Sequence, residues 1–122
     1  MAYAFQYSKL EEIPITFECN MTKDNSISYT FNGATKLKTL PTITGVVTGM
    51  TTHTFSDCNN LSQIPASFFT DYTTYRTGYF YGMCSNCYCL RSIDTTFMEQ
   101  FTTLYTSSLY GNTFAYAFNH CE

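Results

Sequence analysis

Hydrophobic and polar positions along the chain recur as a unit. It runs aromatic, small, Phe, two variable residues, Cys or Ala, two variable, Leu, two variable, Ile or Leu, then Pro or Asp. The run HTFSDCNNLSQIP, from His53 to Pro65, states it most fully, and Tyr29 to Pro41 repeats it. Tyr3 to Pro14 is a further copy with one residue fewer before its leucine, and Gly82 to Asp94 fits with Cys84 in the Phe place. Tyr116 to Glu122 begins a fifth copy. Phe17, Phe68 and Phe97 each lie seven residues beyond the leucine of their copy, a rule that Thr44 breaks.

The anchoring leucines are Leu10, Leu37, Leu61 and Leu90, spaced 27, 24 and 29 residues apart. Periods of that size mark a repeat architecture. A turn so short cannot bury its own apolar face and must share a core with its neighbours. The pattern therefore predicts a single repeat domain over residues 1–122, with copies near 3–17, 29–44, 53–68 and 82–97 and a partial one at 116–122. Its core is Phe5, Leu10, Ile13, Phe31, Leu37, Leu40, Phe55, Leu61, Ile64, Phe68, Leu90, Ile93, Phe97 and Phe118, with the variable positions facing water. The segments from each leucine to the residue seven beyond it are too short for helices. They read as extended pieces in parallel register, and Pro14, Pro41 and Pro65 agree because proline forbids a continuing helix. The best helix candidate is Thr95 to Leu104, where Phe97, Phe101 and Leu104 fall at helical spacing.

The Phe-x-x-Cys-x-x-Leu-x-x-Ile-Pro core of these copies resembles the BspA-type leucine-rich repeat of bacterial surface proteins and some phage and protist proteins. The resemblance covers the five motif copies, about half the chain; the intervening segments are longer and less regular than that family's, and the copy around Cys84 lacks its phenylalanine. It implies a leucine-rich-repeat-like solenoid: short parallel strands stacked in a right-handed coil with irregular, partly helical convex segments. It also implies a binding scaffold, often an adhesin or surface-display module, with no catalytic residues to carry over.

Composition narrows the function classes. The chain has 122 residues, enough for one domain, and carries a net charge of −3 with no run of Lys or Arg. Nucleic-acid binding needs a basic patch or stripe, so that class is not expected. No stretch of about 18 apolar residues predicts a membrane span, and the first residues lack a charged-then-apolar secretory signal.

Candidate chemistry is sparse. Cys58, Cys87 and Cys121 share one place in successive copies, and Ala34 holds it in an earlier one. The place asks for something small and buried, which a free thiol satisfies; a disulfide between stacked copies is the alternative and would leave members unmatched. Cys84, Cys87 and Cys89 have metal-like spacing but no second pair, and Cys84 and Cys87 already hold inward places. No metal or cofactor is expected. His53 stands where other copies have Tyr3, Tyr29 and Tyr116, and His120 where others have Gly33, Asp57 and Asn86, so both read as ordinary repeat residues rather than bases beside a nucleophile. No catalytic residues are assigned.

Surfaces remain. Glu11, Lys38, Ser62 and Arg91 line a mixed polar sheet face. Tyr72, Tyr75, Arg76, Tyr79 and Tyr81 crowd one long insertion, and Tyr and Arg dominate interface hot spots. These residues are the expected binding patch for a protein or glycan in a surface, adhesion or virion-associated module. The alternative is a small phage-encoded soluble effector that binds and inhibits an intracellular host protein, favoured by the initiating Met, the absent signal and the unpaired cysteines. An open stacking end would also invite self-association. Compartment stays open between cell surface or virion and cytoplasm.

Overall fold

A computed structural model describes residues 2–13, 16–18, 27–40, 42–44, 52–64, 80–93 and 115–122. Its building block is the tight turn. Among the described residues, seven of the four-residue turns closed by the fourth N–H donating to the first carbonyl start at Phe5, Ile27, Phe31, Phe55, Phe80, Cys84 and Phe118. The third residue of each has positive φ: Tyr7, Tyr29, Gly33, Asp57, Gly82, Asn86 and His120. That is the signature of a type II turn. Two positions per copy are thus left-handed: a lead position (Tyr3, Tyr29, His53, Gly82, Tyr116) and one four residues later (Tyr7, Gly33, Asp57, Asn86, His120). Gly, Asn, Asp and His tolerate this conformation best. The tyrosines adopt it at an expense of about 1–2 kcal/mol each.

The turns stack in register. Tyr3, Phe5 and Tyr7 donate their N–H groups to the carbonyls of Ser28, Thr30 and Asn32; Tyr29, Phe31 and Gly33 donate to Thr52, Thr54 and Ser56. His53, Phe55 and Asp57 donate to Tyr81, Met83 and Ser85, and Gly82, Cys84 and Asn86 to Ala115, Ala117 and Asn119. These twelve bonds, 2.7–3.3 Å long, link five copies in one order, with every rung donated from the earlier copy to the later.

Four short strands follow the turns: β1 (Thr16–Glu18), β2 (Thr42–Thr44), β3 (Gln63–Ile64) and β4 (Ser92–Ile93). β1 pairs with β2 and β3 with β4, both parallel. The first pair corrects the counting rule. Phe17 lies opposite Ile43, not Thr44, so the place seven beyond the leucine in the first copy matches the place six beyond it in the second. The residue missing before Leu10 is restored after Ile13: Tyr3 and Tyr29 are 26 apart in number, Glu11 and Lys38 (paired through N–H to carbonyl) 27, and Thr16 and Thr42 again 26.

The core holds Ile13, Phe31, Ala34, Leu37, Phe55, Cys58, Leu61, Ile64, Cys84, Cys87 and Leu90, with Phe5, Leu40 and Ile93 half-buried against it. Two expected members are not buried: Leu10 is 49% exposed and Phe118 36%. They belong to the first and fifth copies, each of which has one neighbouring copy among the described residues. Ile27 and Phe80, each two residues before a lead position, are buried although the repeat pattern did not single them out. The variable positions do not all face water either, since Asn32 and Ser56 are buried. Phe68, Phe97 and the helix expected over 95–104 lie outside the described residues.

Candidate interaction face

Repeating a lead position in every copy turns single side chains into columns. Tyr3 stacks on Tyr29 with ring centroids 5.3 Å apart, and Tyr29 on His53 at 5.2 Å. His53 then meets Tyr81 edge-on at 5.5 Å, and Tyr81 meets Tyr116 edge-on at 5.6 Å. The change from stacked to edge-on has a local cause. In the fourth copy the lead position is Gly82, so the ring comes from the residue before it. A Cβ on Gly82 would lie 2.4 Å from the His53 ring, so glycine is what lets His53 sit over this backbone. Deeper in, Phe5, Phe31 and Phe55 stack at 5.5 and 5.7 Å, and Cys84 takes the next place.

The outer column stays open along its flank. Tyr3 is 58% exposed, Tyr81 37% and Tyr116 61%, while Tyr29 and His53 are half-buried between neighbours. Each ring lies against the next, and side chains ordered by such contacts have less conformational entropy to lose in a further contact.

A polar ladder runs through the variable residues between the Phe and Cys positions. Gln6 Nε2 donates to Asn32 Oδ1 (3.0 Å), and Asn32 Nδ2 donates to the Ser56 carbonyl (3.2 Å) and to Asp57 Oδ2 (3.4 Å). Ser56 Oγ also donates to Asp57 Oδ2 (3.1 Å), Asn86 Nδ2 donates to Asp57 Oδ1 (2.8 Å), and His120 Nδ1 stands 3.1 Å from Asn86 Oδ1. A buried amide must find such partners. The ladder thereby joins all five copies a second time.

The thiols form a third column. Cys58 Sγ donates to the Phe31 carbonyl, Cys87 Sγ to the Phe55 carbonyl (both 3.0 Å) and Cys121 Sγ to the Cys84 carbonyl (3.1 Å). The position therefore offers a donor as well as a small volume, which Ala34 had concealed. Burial pushes the thiols of Cys58, Cys84 and Cys121 up, away from ionisation. All five described cysteines are free.

Glu11, Lys38, Ser62 and Arg91 are exposed. Lys38 Nζ contacts Glu11 Oε2 at 2.6 Å, and this hydrogen bond holds the Glu11 carboxyl below its usual range and the Lys38 ammonium above its own. Of the expected Tyr/Arg patch, Tyr81 joins the ring column; Tyr72, Tyr75, Arg76 and Tyr79 lie outside the described residues. Sequence reasoning missed the ring column as a unit and the polar ladder altogether. A signal was present, since Gly33, Asp57, Asn86 and His120 are the residue types that accept a left-handed backbone. Among the described residues no His, Cys, Asp and Glu group is arranged to hold a metal ion, and no helix is long and apolar enough to cross a membrane.

No family model, no curated protein and no solved structure matches the chain.

Proposed function

We propose that the protein is a non-catalytic interaction module, a leucine-rich-repeat-like solenoid that holds a protein or glycan partner along its aromatic flank. The observation that carries this reading is the column Tyr3, Tyr29, His53, Tyr81 and Tyr116, whose five rings are fixed 5.2–5.6 Å apart along one flank. Tyrosine brings apolar area and a hydroxyl to one contact. The register of twelve backbone rungs supports the solenoid, and the resemblance of the repeats to BspA-type proteins supports a surface, adhesion or virion-associated setting.

A second reading is a soluble effector that binds and inhibits an intracellular host protein. The thiol column favours it: three of its sulfurs serve as hydrogen-bond donors, a role that oxidation would end, and reducing compartments preserve thiols.

Capture experiments test both. The immobilised protein is exposed to cell-envelope extract and to lysate beside a Tyr29→Ala/Tyr81→Ala variant whose circular dichroism matches the parent. Loss of about 2 kcal/mol in affinity for the captured species, roughly thirtyfold, is expected of a hot-spot pair. Equal capture by the folded variant contradicts the assignment of the flank, and the extract that yields the ligand separates the two readings.

A further inference from the structure

We propose that the chain stacks head to tail on a second copy of itself, the end carrying Tyr116, Phe118 and His120 docking on the end carrying Ala2, Ala4 and Gln6. The ladder has a polarity. At every internal junction, the lead, Phe and second left-handed positions donate N–H groups to carbonyls one residue earlier in the next copy. The fifth copy has the same three donors, on Tyr116, Phe118 and His120, and among the described residues no main-chain carbonyl receives them. The first copy has the matching carbonyls, on Ala2, Ala4 and Gln6, and none of them accepts a main-chain N–H among the described residues. Three donors at one end face three acceptors at the other in the spacing used four times inside the chain.

Side chains agree with the backbone. Tyr116 and Phe118 would meet Tyr3 and Phe5, extending both ring columns, and Tyr116 and Tyr3 are 61% and 58% exposed. In the thiol column the later copy donates to the Phe-position carbonyl of the earlier one. The first copy has Ser8 at that position, a hydroxyl donor suited to the Phe118 carbonyl of the copy beneath it. One place further along, Lys9 of the first copy lies level with Glu122 of the fifth, so opposite charges meet across the joint. Lys38 and Glu11 show that neighbouring copies pair charges.

Polarity also decides the symmetry. Two like ends would set donors against donors or acceptors against acceptors, so a two-fold dimer through the ends is excluded. A heterologous contact instead repeats into open filaments unless its rotation closes a ring. Tyr3 and Tyr116 also belong to the flank, but the end-to-end contact rests on the backbone donors and acceptors, and the flank is tested at Tyr29 and Tyr81, which take no part in it.

Sedimentation of the full chain from about 10 μM to about 1 mM, the range of weak self-association, reads the outcome beside Tyr3→Asp and Tyr116→Asp. Asp is chosen because it accepts positive φ. The parent's mean mass should climb past a dimer with concentration, while each variant alone associates at least tenfold more weakly. A 1:1 mixture of the variants should form dimers and nothing larger, since each supplies the end the other lacks. A parent that stays monomeric or stops at a dimer overturns the proposal, as does a mixture no different from its parts. Amide exchange gives a check that needs no variant: Tyr116, Phe118 and His120 should gain protection with concentration, and unchanged protection in the associating range would equally overturn it.

Discussion

Cys87 donates its thiol hydrogen to the Phe55 carbonyl, 3.0 Å away in the preceding copy, and that carbonyl also accepts the N–H of Cys58. A small residue without a donor leaves one side of the carbonyl unfilled. Cys87→Ala should therefore cost about 1–2 kcal/mol, from lost volume and the lost bond. Cys87→Ser keeps a donor and should be the more stable of the two in urea denaturation. The reverse order would mean that volume alone governs the position.

Gly82 is expected to be the less replaceable of the two left-handed glycines. A Cβ at Gly33 would meet Tyr7, and one at Gly82 would meet His53, each at 2.4 Å. Tyr7 is exposed at its outer side and can swing away, whereas His53 is held between Tyr29 and Tyr81. Gly82→Ala should cost about 2–3 kcal/mol and Gly33→Ala about 1 kcal/mol, mostly φ strain. In a double-mutant cycle, His53→Ala should recover part of the Gly82→Ala loss; strict additivity would count against the clash.

Much of the stack was legible because identical packing problems select identical residues. Phe31, Phe55, Leu37 and Leu61 recur at fixed places and are buried. What stayed hidden depends on relations between copies rather than within one. The Asp57 carboxylate gathers Asn32, Ser56 and Asn86, residues that are merely variable when read along the chain. Tyr81 enters the ring column from outside the lead position because Gly82 has no side chain to give. The partner of Phe17 is Ile43 because an extra residue after Ile13 resets the register.

End copies should tolerate truncation that inner copies do not. Leu61 is fully buried and Leu10 half exposed. Leu61→Ala should cost about 2–5 kcal/mol and Leu10→Ala under about 1 kcal/mol. Similar losses at both sites in thermal or urea unfolding would contradict the difference in packing.

Alkaline pH should weaken the fold. The folded thiols of Cys58 and Cys84 are raised by burial, while unfolded thiols ionise near about 8.5. Their contribution is complete below the unfolded value and falls as pH rises above it, by up to about 1.4 kcal/mol per pH unit for each buried thiol. Urea midpoints should drop between about pH 7 and about pH 10, and Cys58→Ala should show a shallower drop. Identical slopes for the two proteins would remove the thiol from the explanation.

The central claim is that five copies share one hydrogen-bonded ladder, and residue-resolved amide exchange tests it most directly. The twelve inter-copy donors, from Tyr3 to Asn86, should all be protected, with the amides of the inner junctions, Tyr29 to Asp57, opening together at the global unfolding free energy. Free exchange at Phe31, Phe55 or Cys84 would contradict a continuous stack, as would protection that splits into blocks opening independently.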